Sequence, residues 1–281
     1  MANTKSQESD SGSEAKERYT LGYSPQTIQQ FQKRTAVREA GFLLPYLSAG
    51  MRLLDCGCGP ASITVGLAEA VVPGQVVGVD IEPSEYRFAW SQAAKHTGTN
   101  LRFAVADVYS LPFGDDVFDA AFLHNVLSHL RKPLDVLKGI YRLLRPGGVI
   151  GISHPDFSGS LISPSDPLLD RGHELYWRLV EHNGGNPAIG KHQRGLLHEA
   201  GFVRVEAVAK YSTIATQETV RMRAEQGMRM FAKSDITQQM IELGWTDRPE
   251  LKRIINAWRN WNEQPGAFMA HATVTAVGWK E

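Results

Sequence analysis

The chain has 281 residues, 42% of them hydrophobic, and its thirty basic residues balance thirty acidic ones. No apolar run reaches the roughly 18 residues that a membrane-spanning helix needs, which excludes a spanning segment. A net charge of zero supplies no field drawing the chain to nucleic acid or an anionic membrane, so a small-molecule partner is favoured.

Residues 1–18, MANTKSQESDSGSEAKER, are polar and lack the apolar centre of a signal peptide, which predicts a disordered leader. From Ser24 to Leu47, apolar groups at Ile28, Phe31, Ala36, Val37 and Phe42 fall at roughly helical spacing. They predict amphipathic helices, with Pro45 near the end of the second. A short β-run, MRLLDCG, precedes a helix that starts near Pro60, since a ring without an N–H is tolerated at a first helical position. Next come a buried strand, GQVVGVDI, a helix through SEYRFAWSQAAKHTG, and a third strand, NLRFAVADV. A turn, LPFGDDVF, leads to a fourth strand, DAAFLHNV, a helix through PLDVLKGIYRLLRPGG, and a fifth strand, VIGISH. Strands alternating with crossover helices predict an α/β fold with a parallel sheet covered on both faces.

Beyond Pro155 the pattern loosens. A helix near DPLLDRGHELYWRLVEH is followed by HQRGLLHEAGFVRVEAVAKY, which reads as helix, Gly turn and sixth strand. Residues 216–264 read as helical and carry Met222, Met228, Met230, Met240, Trp245, Trp258 and Trp261, and AFMAHATVTAVGWK reads as a last strand. The predicted organisation is a single domain over 19–281, with N-terminal helices at 19–50, a cofactor-binding core at 51–155, helical lid insertions at 156–190 and 216–264, and the last strand at 265–281. The late helices would roof the carboxyl edge of the sheet, where open α/β sheets bind ligands. Core packing is the plainer explanation of the Met and Trp residues.

The stretch LLDCGCGPASITVGLAE holds the only two cysteines, Cys56 and Cys58. A zinc site needs four ligands, and this pair supplies two at most, so no metal site is expected. Two cysteines one residue apart form no disulfide framework, and a reducing, cytoplasmic compartment is expected. A phosphate cradle fits poorly as well. Ser62 stands where a dinucleotide fingerprint has its third glycine, and Asp55 at the loop mouth would repel a pyrophosphate. A cofactor that is cationic at one end, carries ribose and adenine and lacks phosphate fits better, and S-adenosylmethionine (SAM) has that chemistry. Gly57 and Gly59 then let the backbone approach its amino-acid part, with Asp55 nearby. Asp80 ends the second strand 23 positions after Gly57, where an acid would accept hydrogen bonds from ribose hydroxyls. Asp107, after the third strand, is placed to accept from the adenine amino group.

The segments LLDCGCGPA, VVGVDI, FAVADVYSLPFGDDVFDAAFLHNVLSHL and LLRPGGVIGIS, in that order over roughly Met51 to Ser153, resemble the successive motifs of class I SAM-dependent methyltransferases. They are similar above all to the small-molecule group of ubiquinone and menaquinone biosynthesis C-methyltransferases. The resemblance implies a Rossmann-like, doubly wound seven-stranded sheet, mostly parallel with an antiparallel last strand, plus a helical lid. It also implies that Asp55, Gly57 and Gly59 contact the methionine part of the cofactor, Asp80 and Ile81 the ribose and adenine, and Asp107 and Val108 the adenine, while Cys58, between the glycines, is a candidate to touch the cofactor through its backbone. His124 and Asn125 would lie beside the methionine moiety, and Tyr19, Tyr23 and Arg34 are candidates to close over the cofactor.

Methyl transfer from a sulfonium is an in-line displacement, to S-adenosylhomocysteine (SAH) as product, and rests largely on orientation and desolvation. Where the acceptor must lose a proton, His154 in SHPD, directly after the fifth strand, is the candidate base, with Asp156 close by. The competing reading of His154 is a turn-stabilising or capping role, and His129 reads as packed in a helix. The expected acceptor is a flat or apolar metabolite, such as a quinone or another secondary metabolite, in a chain compatible with a homodimer. An NAD-dependent oxidoreductase and a SAM-binding protein without methyl transfer are the alternatives.

Overall fold

The computed structural model describes residues 17–22, 25–93, 100–232 and 234–281. The predicted leader falls almost wholly outside these residues, as does Tyr23. In chain order the elements are α1 (Pro25–Phe31), α2 (Ala36–Glu39), β1 (Arg52–Cys56), α3 (Ser62–Val71), β2 (Gln75–Asp80), α4 (Pro83–Ala93), β3 (Leu101–Val105) and β4 (Phe118–His124). There follow α5 (Pro133–Leu143), β5 (Leu144–Ser163), α6 (Pro167–His182), α7 (Gln193–Glu199), β6 (Val203–Ile214), α8 (Gln217–Phe231), α9 (Asp235–Glu242), α10 (Arg248–Asn262) and β7 (Phe268–Trp279).

The seven strands form one sheet in the order β3-β2-β1-β4-β5-β7-β6. Pairing is parallel from β3 through β5, and β7 runs antiparallel to both β5 and β6. The result is a Rossmann-like sheet with a reversed last strand. Because successive side chains leave a strand on opposite faces, neighbouring residues feed different cores. Leu53, Val76, Ala120, Phe122 and Val149 pack on the face of α3 with Leu67 and Val71. Leu54, Val77, Ala121, Leu123, Ile150 and Ile152 pack on the face of α5 and α7 with Val136, Ile140 and Leu197. No helix among the described residues is long and apolar enough to cross a membrane.

Two boundaries depart from the sequence pattern. α5 stops at Leu143, and the RPGG that the helical reading had absorbed belongs to the strand, with Gly147 at φ +83. β5 also runs on to Ser163, through residues expected to open the lid. Antiparallel β7 supplies backbone partners that no local pattern reveals, from Val149 opposite Trp279 to Ser163 opposite Phe268. A register shift between Asp156 and Leu161 bends this extension over the carboxyl edge.

The lid has its own apolar core, formed by Leu169, Leu175, Leu179, Val220, Phe231, Met240, Leu251, Ile254, Trp258 and Trp261. Its helices start on local signals. Asp166 and Asp247 cap α6 and α10, and Thr216/Thr219 and Ser234/Thr237 form capping boxes on α8 and α9.

Candidate active site

Above the carboxyl edge lies a cavity of about 730 Å³, within the ~300–1,000 Å³ range of ligand pockets. One end is a row of acids. Asp55 shares the α3 face of its strand with Leu53, so its Oδ2 meets Thr64 Oγ1 on α3 at 2.6 Å. Burial pushes the Asp55 carboxyl up to about 7, against the Thr64 hydrogen bond and with the help of nearby Asp80. Asp80 closes β2 and accepts from the Gly59 N–H at 2.9 Å and the Glu82 N–H at 3.0 Å. Burial raises its pKa as well. Asp107 accepts from the Tyr109 N–H at 2.9 Å, which fixes the turn after β3. Gly57 sits at φ +73, and a Cβ there would run into the Val126 side chain. The loop thus needs glycine both for its conformation and for its clearance.

Every other cofactor candidate among the described residues also lines this cavity: Arg34, Cys58, Gly59, Ile81, Val108, His124 and Asn125. Ile81 is 60% exposed, a bare apolar platform on the cavity wall. His124 Nε2 lies 3.3 Å from Glu39 Oε2 on α2, tying the N-terminal segment to the end of β4. Burial lowers the pKa of His124, and Glu39 counteracts it. Burial also lowers Arg34, whose guanidinium lies 4.1 Å from the Phe31 ring centroid. Cys56 is buried, and burial pushes both thiols well above their usual range. Neither is a thiolate at neutral pH.

The other end is aromatic and apolar, with Tyr19, Leu21, Phe157, Tyr176, Val180 and Pro187. Tyr19 meets His129 edge-on at 4.7 Å, and Phe157 meets Tyr176 edge-on at 6.0 Å. His129 lines the cavity, its Nδ1 is buried without a hydrogen-bond partner, and burial and Arg34 bring its pKa down to about 4. None of these except Tyr19 and His129 was singled out in the sequence. The Met and Trp residues of the lid do not line the cavity, and Met240, Trp258 and Trp261 fill the lid core, in line with the core-packing reading of them.

The two residues proposed as catalytic are placed elsewhere. His154 is fully buried and absent from the cavity wall. Its Nε2 accepts from the backbone N–H groups of Val126 and Leu127 at 3.0 and 2.8 Å, and its Nδ1 lies 3.3 Å from Gln193 Oε1 on α7. Burial drives its pKa down to about 3. Asp156 is buried too, accepting from Ser158 and from the Lys191 N–H. The reason is strand alternation: Pro155 and Phe157 take the cavity side, so His154 and Asp156 take the α7 side. His154 holds the turn after β4 and does not line the cavity.

Residues 47–201 match a family described as a methyltransferase domain. An uncharacterized methyltransferase of Schizosaccharomyces pombe is 29% identical over 87% of this chain and 90% of its own length. An O-methyltransferase of Penicillium expansum is 28% identical over 74% of each chain. Among solved structures, a phosphoethanolamine N-methyltransferase 2 of Haemonchus contortus, in complex with phosphomonomethylethanolamine and SAH, shares the fold at a TM-score of 0.56 and 17% identity. That likeness covers 86% of this chain and about half, 52%, of the other.

Proposed function

The chain belongs to the methyltransferase domain family and is a SAM-dependent methyltransferase, and from that premise we propose that it methylates a small, apolar or aromatic metabolite by in-line displacement. The observation that carries this reading is that strand-end acids line one end of the cavity and aromatic side chains the other. Bound SAM supplies a methyl group on a positively charged sulfur. The residues present suit its two halves: an acid and a side-chain-free loop toward the cationic amino-acid part, and exposed Ile81 and Val108 beside Asp80 and Asp107 toward ribose and adenine.

In this reading the chain contributes position and dryness. The Asp80 carboxylate orients the ribose hydroxyls, and the Asp107 carboxylate takes the adenine amino group. Arg34 and Tyr19 cover the cofactor from the N-terminal side. Tyr19, Phe157, Tyr176 and Val180 hold a flat acceptor on the far side of the methyl and keep water out, which supports displacement without a covalent enzyme intermediate. With His154 and Asp156 turned away, the imidazole open to the acceptor is that of His129, neutral at physiological pH and able to hold a hydroxyl or amine in line. The likeness to an O-methyltransferase over three quarters of both chains favours a hydroxyl acceptor.

The test is incubation of the protein with methyl-labelled SAM and fractionated metabolite extract, followed by mass spectrometry of labelled products. Label should appear in a small, ring-bearing compound. Tight SAM binding with no label on any acceptor would overturn the transfer reading in favour of a SAM-binding protein without methyl transfer.

A further inference from the structure

The lid contains an arginine whose charge nothing nearby neutralises. Arg223, on α8, points into the lid, where its guanidinium lies 4.3 Å from the Trp258 ring centroid and its Nε 3.3 Å from Met269 Sδ. Among the described residues no carboxylate stands within ion-pair distance of it. Glu225, two residues on, is engaged by Arg221 at 3.1 Å and Arg229 at 3.6 Å. Arg171 on α6, by contrast, has Glu174 and Glu250, each at 3.1 Å. Burial lowers the Arg223 pKa to about 10, which leaves it a cation at neutral pH. The guanidinium is half-buried, and with no carboxylate beside it among the described residues its remaining N–H groups are open to an anion from outside.

The surroundings of Arg223 are suited to an oxyanion. His173 and His271 flank it, and both are held to about 4 by burial first and then by the arginine itself. They are therefore neutral, and each can offer an N–H without adding charge. Ser160 Oγ lies 3.4 Å from His271 Nδ1, a third polar group in the same cluster. His173 packs edge-on against Trp258, at 5.7 Å.

The cluster adjoins the cavity through Tyr176. On α6, His173, Tyr176 and Val180 fall at spacings of three and four, so they share one helix face. Tyr176 and Val180 line the cavity, and His173 continues their stripe one turn toward the N-terminus. On the sheet side, Phe157 lines the cavity and Ser160 follows at the bend in β5. The Phe157–Tyr176 pair stands at the boundary, with the Tyr176 ring close enough for Arg223 to influence its hydroxyl.

We propose that this cluster, with Arg223 at its centre and His173, His271 and Ser160 around it, binds a carboxylate on the methyl acceptor. The acceptor is then an aromatic or apolar acid whose anionic end passes the Phe157–Tyr176 pair while its nucleophile stays in the cavity. One cation with neutral neighbours matches a singly charged oxyanion, and a phosphate dianion would leave a charge unbalanced. The inference rests on the methyl-transfer reading and narrows its acceptor class.

The test is calorimetric titration of SAH-loaded protein with 3-phenylpropanoate and with its neutral amide, 3-phenylpropanamide, in wild type, R223M and R223K. The acid should bind wild type at least tenfold more tightly than the amide. R223M should lose that preference while binding the amide as wild type does, and R223K should keep part of it. R223M without ligand should melt at or above the wild-type temperature, since an unneutralised charge is replaced by an apolar side chain of similar length. Equal binding of acid and amide to wild type, or a preference that survives in R223M, would overturn the subsite. Failure of SAH itself to bind would overturn the methyltransferase reading first, and is measured separately in the same experiment.

Discussion

At the edge formed by β1, β2 and β3, each acid and glycine of the cavity stands within two or three residues of its own strand's end. Around β5, α6 and α8, by contrast, the groups that meet come from distant parts of the chain: His154 with Gln193, Tyr176 with Phe157, Arg223 with Met269. The first region is set by local geometry, because a strand followed by a tight turn and a helix fixes where the next side chains go. The second is set by which strand pairs with β5 and how the lid helices fold back on it. A local site tolerates neighbours changing but not its own letters, whereas an assembled site depends on supports that never touch a ligand.

The largest expected effect is on one of those supports. His154→Ala would leave the Val126 and Leu127 N–H groups without their acceptor, the latter in the buried interior, and would open a hole against Gln193. Two orphaned backbone donors at ~1–3 kcal/mol each predict a stability loss of about 3–5 kcal/mol, read by urea denaturation. At a temperature where the variant is still folded, its SAH affinity should stay within a few fold of wild type. A loss confined to turnover, with stability unchanged, would instead make His154 the base.

That residue also shows where sequence reading fails. The succession of strands and helices along the chain, the wall-lining positions of Asp55, Gly57, Asp80, Asp107 and their neighbours and, through the family resemblance, the reversed last strand were legible, because each follows from a strand's end or a quoted motif. The side on which His154 emerges was not, since a shift of one residue reverses the face and β5 gives no turn nearby to fix the count. Its apolar run ends at Ile152, yet pairing with β7 carries the strand eleven residues further, to Ser163. Phe157, Tyr176 and Arg223 carried no signal of their own, because aromatic and basic residues on amphipathic helices and strands are ordinary until their neighbours are known.

At the local end, Asp80→Ala removes the carboxylate that fixes the Gly59 N–H and faces the cavity. Losing hydrogen bonds to a charged group predicts SAM affinity reduced roughly 30- to 100-fold, about 2–3 kcal/mol, by calorimetry. Cys56→Ser, one residue from Asp55 but buried in the α5-side core, should change SAM affinity less than twofold. Comparable losses in the two variants would break the separation of roles between acids and thiols.

The smallest and most diagnostic effect is the pH dependence of Asp55. In the free protein its carboxyl holds a proton up to about pH 7, whereas the unfolded chain releases it near 3.8. Between those values the folded state binds more protons, so this residue's contribution to stability falls as pH rises from about 4 to 7 and is flat above. His129 and His154, held near 4 and 3 when folded, give a slope of the opposite sign up to about pH 6.5, so only a difference between two proteins isolates the acid. Asp55→Asn keeps an acceptor for Thr64 and removes the titration, so the variant should gain stability over wild type as pH rises from 5 to 7.5. Binding should respond in the reverse sense. If the cationic amino group of SAM pairs with ionised Asp55, wild-type affinity should rise roughly eightfold from pH 6 to 7.5, as the ionised fraction grows around a pKa near 7. The Asn variant should bind about tenfold more weakly at pH 7.5, with an almost flat profile. Parallel profiles in the two proteins would remove Asp55 from the methionine end of the cofactor and leave Thr64 as its only partner.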